Sequence, residues 1–310
     1  MPAVVSRVKY ASKVITIEAD IPETIGSNFF CIFICVFSFI GLYTVMELKK
    51  PLIFLKSLPN KLNRFYTQKS KRKMVIDNKS SNKKYFNPVT NFDKSFEKFI
   101  RLLITKNFPK DGIIGEEFKQ KISLNDFNWT IDPIDGTKAF VIGVPTWSNL
   151  IGLTFKNKSV IGLANFPELN VFYLNDKKRS FSYKNGKKKI IRSSNISNLN
   201  NIKMIGNFHG KSNQKQIKNL ISKFGNSFRH VTYDALNYCL LAEGKVDAVI
   251  ETNLKPYDIV PLIQIIKKSG GYVSNWKNES PEKGGDILAT SNKVLHDKML
   301  RKIKPFVKIK

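Results

Sequence analysis

Cysteine and histidine are scarce in this chain, and acidic residues are outnumbered. Three cysteines in 310 residues, Cys31, Cys35 and Cys239, make no disulfide framework, and two of them share one apolar segment. Such usage suits a reducing compartment. The three histidines, His209, His230 and His296, show no His-x-x-x-His spacing, and no Cys-x-x-Cys occurs, which argues against a zinc centre. There is no Gly-x-Ser-x-Gly turn and no Gly-x-x-x-x-Gly-Lys loop, so neither a serine-nucleophile elbow nor a P-loop is present. Against 24 acidic residues stand 52 basic ones, a formal net charge of +28. That balance ordinarily points to nucleic acid or an anionic membrane. Here the excess is almost all lysine, spread beside abundant Asn and Ile, and A/T-rich codons account for much of it. The densest runs, Lys69 to Lys73, Lys177 to Arg179 and Lys187 to Lys189, interleave no aromatic residues as a base-stacking surface would. They read as solvated faces, with no specific nucleic-acid partner, although a positive field also draws in phosphorylated substrates.

Long apolar runs are equally few. The one that stands out, Phe29 to Met46, is uncharged over 18 residues, just enough to span a bilayer. Lys49 and Lys50 follow it, so a membrane anchor there would keep the C-terminal body in the cytoplasm. It lies late for a signal peptide and lacks a clear small-residue cleavage site. The competing reading takes Met46 as the true start and residues 1–45 as untranslated. A cytoplasmic protein is expected on that reading, and membrane association only if the segment is real.

What remains, with 42% hydrophobic residues, is enough for one large domain or two modest ones. Three parts are expected: an N-terminal extension over 1–47, an α+β portion over 48–195 and an α/β portion over 196–310, divided at a polar Asn/Ser-rich stretch near 192–202. A basic helix is expected from Leu48 to Ile76, then loops at Asn78–Ser80 and Asn87–Thr90. Phe92, Phe96, Phe99, Ile100, Leu103 and Ile104 share one face of a helix to Phe108. Short runs at Ile113–Ile114, Trp147–Phe155, Val160–Ala164 and Val171–Leu174 predict strands. Asn185-Gly186 marks a hairpin. Helices are predicted at Gln216–Phe224, Ala235–Ala242 (with Gly244 closing it), Ile259–Lys268 and Val294–Ile303. Strands are predicted at Val246–Glu251, Tyr272–Trp276 and Ile287–Thr290.

The most informative stretch is Trp129-Thr-Ile-Asp-Pro-Ile-Asp-Gly-Thr137. An apolar β-type run ends in two carboxylates, Asp132 and Asp135, with a proline fixing φ between them. Gly136 and Thr137 then leave backbone N–H groups open at an expected helix start. Carboxylates bind hard divalent cations, and open amides at a helix start bind phosphate. A lone Asp-Pro turn is usually a turn and nothing more. Here two further acidic clusters end apolar runs: Gly115-Glu116-Glu117 upstream, and Lys255-Pro256-Tyr257-Asp258 before a helix that ends at Gly270-Gly271.

These three motifs, in this order, resemble the inositol monophosphatase family of magnesium-dependent, lithium-sensitive phosphatases, over roughly residues 75–305. The resemblance implies an α/β chain of α+β type folded as a layered α-β-α-β-α sandwich, commonly a homodimer, that hydrolyses a small phosphorylated metabolite. It implies two or three Mg2+ ions held by Glu116, Asp132, Asp135, Asp258 and the carbonyl of Ile134. Asp93 matches the family's Thr-x-x-Asp site. Thr137, backed by Asp93 and Glu116, would orient the attacking water. The Gly136 and Thr137 amides would hold phosphate oxygens, and Lys79 matches a lysine facing the metal site. The plainer reading of Lys79 is a solvated loop residue.

Within the family, Tyr233-Asp234-Ala235-Leu236-Asn237-Tyr238 before Leu240-Leu241-Ala242, together with Glu251 and Leu254-Lys255-Pro256-Tyr257-Asp258, is similar to the histidinol-phosphatase branch. Lys138-Ala139-Phe140, Gly143, Pro145 and Trp147 also match it. The inositol-preferring branch has a small uncharged residue where Asp234 stands. An extra carboxylate favours a substrate carrying an ammonium group, as histidinol phosphate does; Asp234 could equally cap the helix it precedes. Met204 to Gly210 departs from the branch, lacking its small Thr/Pro-rich segment. The implied function is a phosphomonoesterase of histidine biosynthesis. The alternatives are an inositol monophosphatase, a 3′-phosphoadenosine nucleotide phosphatase, or a relative without activity that binds nucleic acid or membrane.

Overall fold

Trp129 shows how the first half of the protein is assembled. In a computed structural model of the chain its indole is fully buried, with edge contacts to Phe54 at 5.5 Å and tilted contact with Phe108 at 5.1 Å. Its Nε1 donates to the Asp111 carboxylate at 2.8 Å. One strand and two helix ends therefore share one aromatic cluster. The structure describes residues 7–10, 13–16, 48–71, 73–79, 88–211, 213–224, 228–230 and 233–307. The chain divides into a unit over Met1–Lys49 and a unit over Lys50–Lys310. In the first, β1 (Arg7–Tyr10) and β2 (Lys13–Thr16) form an antiparallel hairpin. The apolar segment 29–46, Cys31, Cys35 and Asn87 lie outside the described residues. Among the described residues no helix is long and apolar enough to cross a membrane.

The helix α1 (Lys49–Lys69), all but its first residue in the second unit, is shorter than the helix expected to Ile76. The like charges at its end oppose continuation, and Ile76–Asn78 is taken as β3, paired antiparallel with β4 (Pro88–Thr90). Both pieces were expected as helix or loop, because three-residue strands of mixed polarity carry no period-2 pattern. Next comes α2 (Asn91–Asn107), buried along Phe92, Phe96, Ile100 and Ile104, as its spacing predicts. A seven-stranded sheet follows in the order β11-β10-β9-β8-β7-β6-β5. Its strands are β5 (Gly112–Gly115), β6 (Phe127–Asp135), β7 (Ser148–Phe155), β8 (Lys158–Phe166), β9 (Val171–Asn175), β10 (Ser180–Lys184) and β11 (Lys187–Ile191). Only β5 and β6 run parallel. Asn185 and Gly186 turn the β10–β11 hairpin with φ of 50° and 78°, the paired positive values of a type I′ turn. The short helix α3 (Thr137–Val141) links β6 to β7.

The second sheet has the order β13-β12-β14-β16-β15. It comprises β12 (Met204–Asn207), β13 (Phe228–His230), β14 (Ala248–Leu254), β15 (Tyr272–Asn275) and β16 (Gly285–Thr290). Neither β12 nor β13 is among the predicted strands; both are short and lie at one edge of the sheet. Between the two sheets run α5 (Ala235–Ala242) and α6 (Pro256–Lys268). Leu150, Phe166 and Tyr173 from the first sheet, Leu241, Ile259 and Ile263 from the helices, and Val249 and Ala289 from the second sheet form one buried cluster. On the far face of the second sheet, α4 (Gln214–Ser222) and α7 (Lys293–Ile303) bury Ile217, Leu220, Leu295, Met299 and Ile303 against Met204 and Leu288. With α1 and α2 on the outer face of the first sheet, the layers run α-β-α-β-α, as expected.

His296 on α7 is completely buried. Its ring nitrogens meet Ser274 Oγ at 2.8 Å and Thr290 Oγ1 at 3.1 Å, and its ring lies 4.6 Å from Tyr272. Burial and Lys293 push its pKa down to about 4, with Asp297 pulling the other way. The depressed value means that the unfolded chain takes up a proton first as pH falls. Stability from a neutral His296 is full above about pH 6.5 and drains away down to about pH 4. Replacing it by Gln, which keeps polar contacts but does not titrate, should remove about 2 kcal/mol of the stability lost between pH 7 and pH 5. Urea midpoints of the two proteins at both pH values check this.

Candidate active site

Two of the acidic residues are set by helix starts. Thr90 opens α2, and Asp93, three residues on, accepts both the Thr90 N–H and its hydroxyl at 2.6 Å. At the start of α6, Pro256 occupies the first turn and Asp258 accepts the Lys255 N–H at 2.7 Å. Both carboxylates thus satisfy orphan amides and suit the positive helix end. They are locked in position by the same bonds.

The other acids come from the carboxyl ends of the parallel pair β5 and β6. Glu116 leaves β5 with its N–H bonded to Ile131 O at 3.2 Å. On β6, pairing with β7 is regular to Asp132 and shifts register before Asp135. Pro133 sits in that irregularity, where its missing N–H costs no ladder bond, and Asn149 Nδ2 holds the Pro133 carbonyl at 2.7 Å. Asp132 Oδ1 accepts Ile134 N–H at 3.1 Å. Asp135 Oδ2 accepts Ala235 N–H at 2.8 Å and the Ser148 hydroxyl at 3.3 Å, which ties the first sheet to the start of α5. Gly136 then takes φ +78°, a left-handed turn that suits glycine, and starts α3 with no side chain to cap it.

The Thr137 hydroxyl has one proton and two acceptors: Ile134 O at 3.0 Å and Asp93 Oδ1 at 3.4 Å. The expected Asp93 contact is present but long, and the shorter bond goes to the Ile134 carbonyl. Lys79 is a bound residue here. Its Nζ lies 2.9 Å from Glu116 Oε1 and pairs with Glu117, so it bridges both carboxylates of the turn.

Burial dominates the electrostatics, and charge crowding adds to it. Burial, then Glu116, Asp135, Asp258 and Asp93 in turn, hold the Asp132 carboxyl well above the usual carboxylate range. Burial, Asp234 and Asp258 do the same to Asp135. Asp258 is pushed up to about 7, chiefly by burial, despite its backbone bond to Lys255 and its contact with Asp132. Glu116 is raised by burial against the opposing pull of Lys79, and Asp93 is raised by burial too. Burial would lower Lys79, but Glu116 and Glu117 more than offset it and raise its pKa. Among the described residues no three His, Cys, Asp or Glu side chains are closed into a ready-made metal cage. The donor set nonetheless fits a divalent cation: four crowded carboxylates, each with a raised pKa, offer the oxygen ligands that a hard cation takes.

Asp234 and Glu251 lie on the α5 and second-sheet side. Leu236 N–H closes a turn onto Tyr233 O at 2.9 Å, and Asp234 within it has φ 46° and ψ −125°, values of the first central position in a type II′ turn. A non-glycine residue there is strained. Its side chain makes no cap bond to α5, so the capping role open in the sequence is not taken. The carboxylate instead presses on Gly136, where a Cβ would lie 2.7 Å from Asp234 Oδ2. Burial raises the Asp234 pKa while Lys138 opposes it. Glu251 is buried, accepts Asn237 Nδ2 at 3.0 Å, and is pushed up to about 8 by burial and by Asp234. Sequence reasoning did not assign roles to Lys138, Ser148, Asn237 or Glu117. Their place in a motif or beside one was the available sign; their direction was not.

The fold and this acid-lined site define a phosphatase architecture, and comparison with known proteins agrees. The model of the inositol monophosphatase family matches residues 53–307. The chain is 30% identical over 233 residues to a histidinol-phosphatase of Mycobacterium tuberculosis, covering 74% of this chain and 89% of that protein. It is 31% identical over 231 residues to a fructose-1,6-bisphosphatase/inositol-1-monophosphatase of Aquifex aeolicus, covering 71% and 83%. The extragenic suppressor protein suhB of Bartonella henselae has the same fold, with a TM-score of 0.68 at 22% identity over 85% of this chain and 98% of that one. This chain belongs to the inositol monophosphatase family. It is a hydrolase of phosphoric monoesters.

Proposed function

We propose that the protein is a Mg2+-dependent histidinol-phosphate phosphatase acting in histidine biosynthesis. The observation that carries the substrate is Asp234, a strained non-glycine residue that caps no helix and places a carboxylate against Gly136. A further acid beyond the metal-holding set is unfavourable beside a phosphate site unless the substrate brings a positive charge. Histidinol phosphate brings an ammonium group; inositol phosphate does not. The named similarity to a histidinol-phosphatase at 30% identity supports the same reading.

Glu116, Asp132, Asp135, Asp258 and the Ile134 carbonyl would hold Mg2+. When bound, two or three such ions would neutralise the doubly negative ester and make water more acidic. The chain's own residues supply the remainder. Thr137, placed between Asp93 and the Ile134 carbonyl, orients the attacking water, backed by Asp93 and Glu116. The amides of Gly136 and Thr137 hold phosphate oxygens. Lys79 fixes the direction of Glu116 and Glu117. Asp234 and Glu251 receive the ammonium group, whose arrival favours the ionised form of Glu251. The assembly proposed is a cytoplasmic homodimer.

Inorganic phosphate released from histidinol phosphate, inositol 1-phosphate, 3′-phosphoadenosine 5′-phosphate and glycerol phosphate tests this. The highest kcat/KM is expected for histidinol phosphate. A preference for inositol phosphate or for the nucleotide would replace the reading.

A further inference from the structure

We infer that Glu97 is a positioning residue for the Glu116–Glu117 turn, setting the direction in which Glu116 is presented. The inference rests on Glu116 being a metal ligand, as proposed above. Glu97 lies one helical turn beyond Asp93 on α2 and is completely buried. Burying a carboxylate is costly unless its oxygens are paired and hydrogen-bonded. Its partners explain how this one is tolerated. Oε2 accepts the Glu117 N–H at 2.6 Å, while Oε1 accepts Phe118 N–H at 3.3 Å and Arg101 Nε at 2.7 Å. Arg101 completes the clamp by donating Nη2 to Phe118 O at 3.0 Å. Glu97 and Arg101 together hold the backbone just past Glu116, while Ile131 O holds the Glu116 N–H from the other side.

Gly115 is the counterpart of this clamp. A Cβ there would lie 2.1 Å from Glu97 Oε1 and 2.9 Å from Arg101 Nη2, so only the glycine leaves room for the carboxylate. The Gly of Gly-Glu-Glu therefore has a reason in space: it accommodates the group that grips the turn. Asp93 and Glu97, four residues apart, face the same side of α2. One rigid helix thus carries both the acid that meets Thr137 and the acid that anchors the Glu116 turn. Packing alone would not call for a further carboxylate beside so many others, since an apolar residue of similar volume often serves stability as well as a buried ion pair.

The Glu97 oxygens are occupied by Arg101 and by the Glu117 and Phe118 amides, so the test must separate positioning from folding. The full chain is compared with Glu97→Ala, Glu97→Gln and Glu116→Gln. Three quantities are measured: Mn2+ binding without substrate, from the free-ion electron paramagnetic resonance signal; the Mg2+ concentration giving half-maximal phosphate release; and the urea midpoint. Glu97→Ala is expected to weaken both metal measures by about 10–100-fold. Glu97→Gln, whose amide oxygen still accepts the Glu117 N–H, is expected to recover part of this, losing about threefold or more. Should the alanine variant not fold, the glutamine variant decides on the same measures. A lowered urea midpoint with unchanged metal binding in the Glu97 variants would overturn the inference and leave Glu97 a packing residue. If Glu116→Gln itself binds metal normally, it is the ligand reading of Glu116 that fails, and the inference falls with it.

Discussion

Asp132→Asn is expected to lower kcat/KM by about 1,000-fold or more, equivalent to about 4 kcal/mol of transition-state stabilisation, while the protein stays folded. The side chain is buried among Glu116, Asp135, Asp258 and Asp93, and every one of these raises its pKa. Asparagine keeps the Oδ1 that accepts Ile134 N–H, so the turn into Asp135 should survive. Without metal, the variant should be at least as stable as the parent, because one of several crowded carboxylates has gone. With metal, the order reverses. Mg2+ at about 100 times its Kd should stabilise the parent by about 2.7 kcal/mol. For a chain of this size that is a rise of about 4 °C in Tm. Chelation should abolish the rise, and the variant should show little of it. Thermal melts with Mg2+ and with EDTA, beside single-substrate kinetics, provide the check. A variant with normal turnover and a normal Mg2+ response would remove Asp132 from the site.

The second large effect concerns substrate choice. Asp234→Asn should reduce kcat/KM for histidinol phosphate by about tenfold or more, with the hydrolysis of glycerol phosphate nearly unchanged. Asparagine is the informative replacement because it tolerates positive φ better than alanine, and Asp234 sits at φ 46°. Alanine there would add strain that lowers activity on every substrate. The carboxylate presses on Gly136 beside Asp135, where Lys138 opposes its charge. Removing its charge should also lower the Glu251 pKa from about 8, since Asp234 is the largest charged contributor to that rise. Equal losses on both substrates would assign Asp234 to the fold of the turn. A gain on inositol phosphate would show a pocket gated by this one carboxylate.

The acids gathered at the candidate site were legible because each is written into a local pattern. Asp93 follows Thr90 by three residues and Asp258 follows Lys255 by three, the spacing at which a side chain bonds back to the helix start. Asp132 and Asp135 flank a proline at the end of an apolar strand, and the irregular pairing there is what that proline demands. The Asn185-Gly186 hairpin and the apolar face of α2 were legible for the same reason: their signals lie within a few residues of each other.

Sequence alone therefore determined the family motifs, their order, the helix starts that hold two of the acids, and most long elements. Tertiary structure decided what depends on distant partners. The short β3 and β4 exist because they pair with each other across a connection, β12 because β14 offers an edge, and β13 because β12 offers the next one. Lys79 and Glu116 are 37 positions apart in sequence and 2.9 Å apart in space. Glu97 reads as one more charged residue on a helix until the fold brings Gly115 and the Glu117 amide onto its carboxylate. Asp234 could have capped α5, and the folded turn directs it to Gly136 instead. Local spacing fixes which groups a segment carries, whereas their direction and charge state come from burial and from neighbours that only folding supplies.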